Sequence, residues 1–142
     1  MKTAMNVITA RTDKDILKCW PVLKLLRPHL VEAGFVQQIG EMQSEGYELA
    51  FIEADGIAAS AIGFRYIRKL YDGKQIYVDD LSTLEAHRGQ GYAGILLEHV
   101  FALAKERGYD CVTLDSGIHR NDAHRLYLNK GFRISSLHFH RQ

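Results

Sequence analysis

The sequence predicts an α/β fold of the α+β type, in which a mixed, mostly antiparallel central sheet is flanked by helices. One observation is a series of strand-like segments joined by tight turns, above all Asp55-Gly56, a dipeptide typical of β-hairpins. Another is a later strand that enters a glycine-rich turn and then a pattern of helical period. The length of 142 residues suits a single domain, residues 1–142, that buries a core of its own.

The N-terminal third predicts one short strand and two helices. The strand covers residues 7–11, and Thr12-x-x-Asp15 then resembles a capping box that opens an apolar stripe of helical period. Pro21 is expected to kink this helix or to lie near a boundary, because proline lacks a backbone donor. A second helix is expected from Val31 to about Glu45, with Gly46 ending it.

The middle third predicts an antiparallel meander. Residues 47–53 form the first strand, and Asp55-Gly56 turns the chain into a partner strand over residues 57–67. A second turn, Tyr71–Lys74, leads into a central strand that begins at Gln75. The central strand ends where the glycine-rich turn begins.

The last third predicts a long helix, a strand, a short helix and a final strand. The long helix ends at Arg107-Gly108, a basic residue followed by glycine, which helix ends prefer. A strand over residues 109–114 follows, and then a short helix over residues 122–130 that Gly131 ends. Residues 132 to about 139 are expected to close the sheet.

Composition excludes several classes of protein. The apolar share of 46% and the charged share of 25% are ordinary for a globular protein, and a net charge of +1 offers no field for nucleic acid. The start of the chain shows no apolar signal segment, and no run has transmembrane length. Cys19 and Cys111 are scattered, as in proteins with reduced thiols. We therefore expect a cytoplasmic protein without nucleic-acid or membrane partners.

The segment Arg88–Gly94 lies between the central strand and the long helix. The first N–H groups of a helix have no intrahelical partner and carry partial positive charge. Gly89 and Gly91 have no Cβ, so a ligand can approach the backbone closely. This arrangement predicts a cradle for a phosphate or pyrophosphate.

Glycine spacing alone leaves several interpretations of this segment. Gly89-x-Gly91-x-x-Gly94 fits the bare dinucleotide-binding spacing, but that motif belongs to the first strand of a βαβ unit. A Walker A loop is excluded, because no Gly-Lys-Ser/Thr follows. A structural turn with incidental glycines remains an alternative.

Two motifs resemble the GCN5-related N-acetyltransferases, the GNAT family. Residues 88–93, Arg-Gly-Gln-Gly-Tyr-Ala, resemble the Arg/Gln-x-x-Gly-x-Gly/Ala signature that holds the pyrophosphate of acetyl-coenzyme A. Residues 123–132 resemble the later motif Ala-x-x-Leu-Tyr-x-x-x-Gly-Phe. The order βααβββαβαβ is also that of the family, so the resemblance covers nearly the whole chain. Without it, Tyr127 would be interpreted as a half-buried packing residue.

The resemblance implies acetyl-coenzyme A as co-substrate and a set of residues that bind it. That set is Leu81, Ser82, Thr83, Arg88, Gly89, Gln90, Gly91, Tyr92, Ala93, Gly94 and Asn121. The family commonly has asparagine seven residues before the tyrosine, a position that is Arg120 here. Asn121 either takes that role or caps the helix with Asp122, and Arg120 is an alternative contact for a phosphate.

The resemblance also assigns roles in acetyl transfer. Tyr127 would donate a proton to the leaving thiolate, and N–H groups around Leu81–Thr83, where the central strand usually bulges, would polarise the thioester. The same strand edge would pair with the pantetheine arm. Alkyl amines have a pKa of about 10.4 and are mostly protonated at neutral pH, so the site needs a route for a proton.

Three carboxylates are candidates for that route. Asp79 and Asp80 lie on the central strand, where adjacent residues point to opposite faces, so only one faces the cleft unless a bulge re-aims both. Asp115 ends the next strand. Aspartates at strand ends are also common as turn or cap residues. Together the three predict a locally negative cleft that attracts a cationic amine.

The histidines indicate a metal site or a substrate contact less clearly than the aspartates indicate a proton route. His138-x-His140 is only a pair on one strand face, so we expect no metal. His119 or His124 either lines the acceptor pocket or lies at the surface. By analogy with the family, Arg27 and His29 lie where substrate enters.

Two function classes remain. One is an acetyl-coenzyme A-dependent N-acetyltransferase that acts on a small cationic amine or a peptide amine. The other is a non-catalytic acyl-coenzyme A-binding sensor or regulatory module. Tyr127 and the candidate carboxylates favour the enzyme. The resemblance is also compatible with a homodimer, since many relatives dimerise through late strands.

Overall fold

The computed structural model describes residues 6–142, which contain a five-stranded sheet in the order β1-β2-β3-β4-β5. The first three strand pairs are antiparallel and β4–β5 is parallel. The strands are β1 Ile8–Thr9, β2 Tyr47–Ala54, β3 Ile57–Lys69, β4 Gly73–Thr83 and β5 Cys111–Leu114. The helices are α1 Asp13–Lys18, α2 Trp20–Leu26, α3 Phe35–Ser44, α4 Tyr92–Arg107 and α5 Asn121–Asn129, with a 3₁₀ turn at Glu85–His87. The predicted α/β fold class is confirmed.

Local chemistry explains most element boundaries. The Asp15 N–H donates to Thr12 Oγ1 at 3.2 Å, as the capping box predicts. Pro21 lies in the first turn of α2, where its missing N–H costs no hydrogen bond. The second predicted helix, α3, begins at Phe35 rather than Val31, because the chain turns at Gly34 with φ +85°. The hairpin Asp55-Gly56 has φ of +55° and +79°, as a type I′ turn requires.

The sheet separates two cores. On one face, α1, α2 and α3 pack on side chains such as Tyr47, Leu49 and Phe51. On the other face, α4 and α5 pack on a set from β2, β3 and β4 that includes Ile62, Val78 and Leu81. The helices therefore cover both faces of the sheet.

A β-bulge interrupts β4 at Asp79. Val78 pairs with Phe64 and Asp80 pairs with Gly63, so Asp79 has no residue opposite it on β3. Val78 and Leu81 both belong to the core under α4 although they are three residues apart. The extra residue therefore leaves both aspartates off the α4 face. Leu81–Thr83, where the family resemblance placed the bulge, keep regular partners on β3, and that expectation is wrong.

The end of β4 extends beyond its neighbour β5. Leu114 at the end of β5 pairs with Val78, and β4 continues to Thr83. Over residues 79–83, the edge of β4 that faces away from β3 has no strand partner within residues 6–142. The two strands thus leave a gap in the sheet beside the glycine-rich segment.

The last predicted strand is wrong. Residues 132–142 contain no strand, and Ile134, Leu137 and Phe139 are 81%, 75% and 88% exposed. Ile134 and Leu137 are an odd number of residues apart, so a strand would place them on opposite faces and bury only one of them. The pattern therefore lacks the alternation that stabilises an edge strand.

Gly63 lets Tyr47 reach Asp80, which is opposite Gly63 on β4. A Cβ at Gly63 would lie 1.8 Å from Tyr47 Oη, and the backbone φ there is not positive. Position 63 therefore requires glycine because a larger side chain has no room beside Tyr47, and not because of the backbone conformation. The Tyr47 hydroxyl passes over Gly63 and donates to Asp80 Oδ2 at 2.8 Å.

We predict that Gly63→Ala destabilises the protein by about 1–3 kcal/mol, because the methyl group displaces the buried Tyr47 ring. Gly40→Ala is the matched control: Gly40 lies in α3, where an added Cβ would meet no atom within 4 Å, so alanine should stabilise by up to ~1 kcal/mol. Urea unfolding of both variants measures the two changes. Equal stability of Gly63→Ala and the parent would contradict the packing described.

Candidate active site

Two clefts meet at the gap between β4 and β5. The glycine-loop cleft, of about 740 Å³, lies between the end of β4, the start of α4 and the start of α5. The carboxylate cleft, of about 540 Å³, lies between the end of α2, the bulge in β4 and the segment after β5. Both clefts are lined by Leu81, Ser82, Arg88, His119, Arg120 and Tyr127.

The glycine-loop cleft begins at the N-terminus of α4. Gly89 and Gly91 have φ of +78° and +81°, and a Cβ at either position would have no atom within 4 Å. No side chain caps the helix, and its first backbone bond runs from the Ile95 N–H to the Gly91 carbonyl at 3.0 Å. The N–H groups of residues 92–94 are therefore left for a ligand, in the positive field of a 16-residue helix.

The structure brings together nearly all the residues predicted to bind the cofactor. Gln90 is the exception, since it is exposed and does not line the glycine-loop cleft. Asn121 lines this cleft as the first residue of α5. No side chain caps α5, so the interpretation of Asn121 and Asp122 as caps is wrong. Arg120 immediately precedes α5 and lines both clefts.

Tyr127 connects the two clefts. The residue is 8% exposed, and its ring packs edge-on against Phe132 with centroids 5.8 Å apart. Burial raises the pKa of the Tyr127 phenol, and the positive charge of Arg120 acts in the opposite direction. Tyr127 is thus a buried, well-packed phenol that lines both clefts.

One row of residues across the sheet holds the three candidate carboxylates. Tyr47 pairs with Arg65, and Arg65 pairs with Tyr77, so the three share a face of the sheet. Each reaches a different aspartate: Tyr47 contacts Asp80, Arg65 contacts Asp79, and Tyr77 contacts Asp115. The sequence analysis did not predict this row. Strand alternation shows which side chains share a face only when the pairing of β2, β3 and β4 is known.

Asp79 has one free oxygen. Arg65 Nε donates to Oδ2 at 2.9 Å, whereas Oδ1 is buried and has no hydrogen-bond partner among residues 6–142. Burial raises the pKa of the Asp79 carboxyl, and the hydrogen bond and charge of Arg65 act against that rise. The side chain is 21% exposed and lines the carboxylate cleft. Asp79 is therefore a shielded carboxylate with one unused acceptor atom.

Asp80 and Asp115 are differently placed. Asp80 is 15% exposed and accepts from Arg27 Nε at 3.0 Å and from the Tyr47 hydroxyl, one bond to each oxygen. Asp115 is exposed, and its Oδ2 accepts from the Tyr77 hydroxyl at 2.6 Å. His138 Nδ1 lies 3.7 Å from the same oxygen. The structure thus brings all three carboxylates into one cleft, but in three environments.

The carboxylate cleft does not have the excess negative charge that the sequence led us to expect. Its lining contains three aspartates and also Arg27, Arg88 and Arg120. Arg65, which does not line the cleft, contacts Asp79 from the neighbouring strand. The lining therefore carries three positive and three negative side chains instead of the predicted cluster of negative charge. The sequence did not indicate this balance, because the arginines that pair with the aspartates come from other elements of the chain.

The other sequence-based candidates are dispersed. His119 lines both clefts, whereas His124 lines neither, and its Nε2 lies 2.8 Å from the Gly117 carbonyl. Arg27 lines the carboxylate cleft and His29 does not. Within residues 6–142, no three His, Cys, Asp or Glu side chains are placed to hold a metal ion. In the same range no helix combines the length and apolarity that crossing a bilayer requires.

A comparison with family models matches residues 13–132 to the acetyltransferase (GNAT) family. Among curated proteins, the chain is 30% identical over 137 residues to the uncharacterized N-acetyltransferase YhdJ of Bacillus subtilis (strain 168). That alignment covers 95% of each protein.

Solved structures of acetyltransferases share the fold. A putative acetyltransferase from Agrobacterium tumefaciens superposes with a TM-score of 0.84 at 19% identity, over 97% of this chain and 99% of the other. The aminoglycoside N-acetyltransferase AAC(6')-Iy, bound to a coenzyme A bisubstrate analogue, superposes with a TM-score of 0.83 at 16% identity and 99% coverage of both chains. Identities this low establish the fold alone.

The raised pKa of Asp79 gives a testable pH dependence. Because the folded protein holds this proton more tightly than the unfolded chain, Asp79 contributes stability below its ordinary pKa of 3.8 that is lost as the pH rises through the folded pKa. Asp79→Asn does not titrate there, so the free energy of unfolding of Asp79→Asn minus that of the parent should increase as the pH rises.

Urea unfolding of both proteins from about pH 3.5 to pH 7 measures this difference. A carbon NMR titration of the Asp79 carboxyl locates the midpoint directly. A difference in stability that stays constant or decreases with pH, or a midpoint below 3.8, would contradict the environment described.

Proposed function

The chain belongs to the acetyltransferase (GNAT) family as an acetyl-coenzyme A-dependent N-acetyltransferase, and on this premise we propose that it acetylates a primary amine, a small cationic amine or a peptide amine, by direct attack. The observation that carries the proposal is the meeting of the two clefts at Tyr127, Leu81 and Ser82. One cleft suits an anionic cofactor and the other suits an amine. We further propose that residues 1–142 act as a single domain.

The residues of the glycine-loop cleft fit acetyl-coenzyme A. The open space at Gly89 and Gly91 and the free N–H groups of residues 92–94 suit a pyrophosphate, and Arg88 and Arg120 add positive charge. When bound, acetyl-coenzyme A supplies a thioester as the acetyl donor. The unpaired edge of β4 at Leu81–Thr83 offers backbone groups that orient the pantetheine arm as an added strand and polarise the thioester carbonyl.

Tyr127 is the proposed general acid. Tyr127 lines both clefts, and burial keeps the phenol protonated at neutral pH. A protonated phenol at that point donates its proton to the sulfur that leaves the acetyl group. The nearby charge of Arg120 lowers the cost of the phenolate that this transfer creates.

Asp79 is the proposed base among the three candidates. Its side chain lines the carboxylate cleft and is 21% exposed, and its raised pKa makes it a better base than an exposed aspartate for the proton of the acceptor ammonium. Both oxygens of Asp80 already accept hydrogen bonds. Asp115 is exposed, so we assign Asp80 and Asp115 to positioning and to the charge of the cleft.

We predict that Gly91→Asp weakens the binding of coenzyme A at least tenfold relative to Gly91→Asn. Both variants place a side chain in the left-handed conformation that Gly91 adopts at φ +81°, so the strain is matched. Only aspartate adds a negative charge beside the anion site, and a tenfold effect corresponds to about 1.4 kcal/mol. Calorimetric titration with coenzyme A measures both affinities, and equal affinities would overturn the assignment of the anion site.

Replacing Tyr127 by phenylalanine should lower kcat by ~10²–10⁴, the usual range for the loss of a general acid. The ring keeps its packing against Phe132, so the affinity for coenzyme A should change little. Tyr92→Phe is a suitable control, since Tyr92 also lines the glycine-loop cleft but not the carboxylate cleft. If Tyr127→Phe slows a chemistry-limited step less than about threefold, Tyr127 is a packing residue.

Release of free coenzyme A thiol from acetyl-coenzyme A, measured across a panel of primary amines and peptides, tests the proposed function. Transfer to at least one amine, lost in Tyr127→Phe, is the expected result. Tight binding of coenzyme A without transfer to any amine would instead identify a non-catalytic acyl-coenzyme A-binding module.

A further inference from the structure

Arg27 joins the end of α2 to the bulge of β4 across the carboxylate cleft. Its Nε donates to Asp80 Oδ1 at 3.0 Å, and its Nη2 donates to the Asp79 carbonyl oxygen at 2.9 Å. The Arg27 side chain is 46% exposed, whereas that of Asp80 is 15% exposed. The guanidinium, the more exposed partner, therefore pairs with the Asp80 carboxylate at the lining of the cleft, which the two residues share.

The ion pairs of the cleft neutralise two of its three carboxylates, so one positive charge can still be added. Arg27 balances Asp80, and Arg65 balances Asp79. Asp115 contacts the neutral Tyr77 hydroxyl and, at 3.7 Å, His138, but no arginine or lysine within residues 6–142. Arg88 and Arg120 also line the glycine-loop cleft, where an anionic cofactor would engage them. Asp115 is therefore the carboxylate that remains for an ammonium group.

Resting on the proposed function, we propose that Arg27 determines the charge of the acceptor: by neutralising Asp80 it makes the carboxylate cleft selective for amines with one positive charge over diamines. A second ammonium group entering the cleft meets the Arg27 guanidinium instead of the Asp80 carboxylate. Like charges at such short range disfavour the diamine, and this is a device for specificity by repulsion.

Removal of the guanidinium should reverse this preference. In Arg27→Gln, Asp80 keeps its hydrogen bond from Tyr47 but loses its charge partner, so it faces the cleft as an unbalanced carboxylate. A second ammonium group then gains a charge-assisted hydrogen bond, which corresponds to about tenfold or more in affinity.

The experiment compares two probes of similar reach, 1,4-diaminobutane and n-butylamine, in calorimetric titrations of the coenzyme A-bound protein. Arg27→Gln should raise the ratio of diamine affinity to monoamine affinity about tenfold over the parent. Arg27→Lys keeps the charge and should keep the parent's ratio. Arg11→Gln is the matched control, since Arg11 pairs with Glu48 at 3.7 Å outside both clefts and is 71% exposed.

The double variant Arg27→Gln/Asp80→Asn separates charge from structure. Its ratio should return to that of the parent, because the uncovered carboxylate is gone, whereas a purely structural effect of losing Arg27 would persist. Asp80→Asn alone leaves Arg27 unbalanced, so both probes should bind more weakly than to the parent. The proposal is overturned if Arg27→Gln leaves the ratio unchanged or does not bind the diamine, or if the double variant keeps the increased ratio.

These titrations need no turnover. A shifted ratio in a protein that acetylates no amine would support the role of Arg27 and overturn the proposed function. If the protein acetylates amines but Arg27→Gln leaves the ratio of diamine to monoamine affinity unchanged, the proposed function is supported and the role of Arg27 is overturned.

Discussion

One extra residue in β4 decides where the chemistry of this protein lies. In a regular strand, Asp79 and Asp80 would point to opposite faces, and one of them would enter the core beneath α4 without a partner. The bulge at Asp79 removes that conflict, because Val78 and Leu81 fill the core positions and both aspartates lie on the other face. The cross-strand row of Tyr47, Arg65 and Tyr77 then determines which partner each aspartate has.

The gap beside that bulge joins the two clefts. β5 ends opposite Val78 while β4 continues, so the free strand edge, the N-terminus of α4 and Tyr127 converge at one point. Each part is ordinary for its element: an unpaired strand end, an uncapped helix start and a packed tyrosine. Together they bring an uncapped helix N-terminus, a buried tyrosine and the carboxylate cleft around one space, which is the arrangement that the proposed acyl transfer to an amine requires.

Sequence patterns predicted the fold class and most element boundaries, and all but one of the cofactor-binding residues that the family resemblance implied line the glycine-loop cleft. These features depend on local signals, such as the capping box at Thr12, the Asp55-Gly56 turn and the glycine spacing at 89–94. The charge balance of the carboxylate cleft was not predictable in the same way. Arg27 and Asp80 are 53 residues apart in the sequence, and Tyr47 reaches Asp80 only because Gly63 lacks a side chain. The final strand was predicted over residues 132 to about 139, in the element order of the family, although the alternation of apolar residues breaks between Ile134 and Leu137.

We propose that the bulge makes Asp79, and not Asp80 or Asp115, the base of the acetyl transfer. The dependence of kcat/KM on pH tests it most directly, measured for the parent and for the three single Asp→Asn variants with one accepted amine. The acidic limb of the profile should disappear in Asp79→Asn and persist in Asp80→Asn and Asp115→Asn. An acidic limb that Asp79→Asn retains and either of the other two variants loses would contradict it.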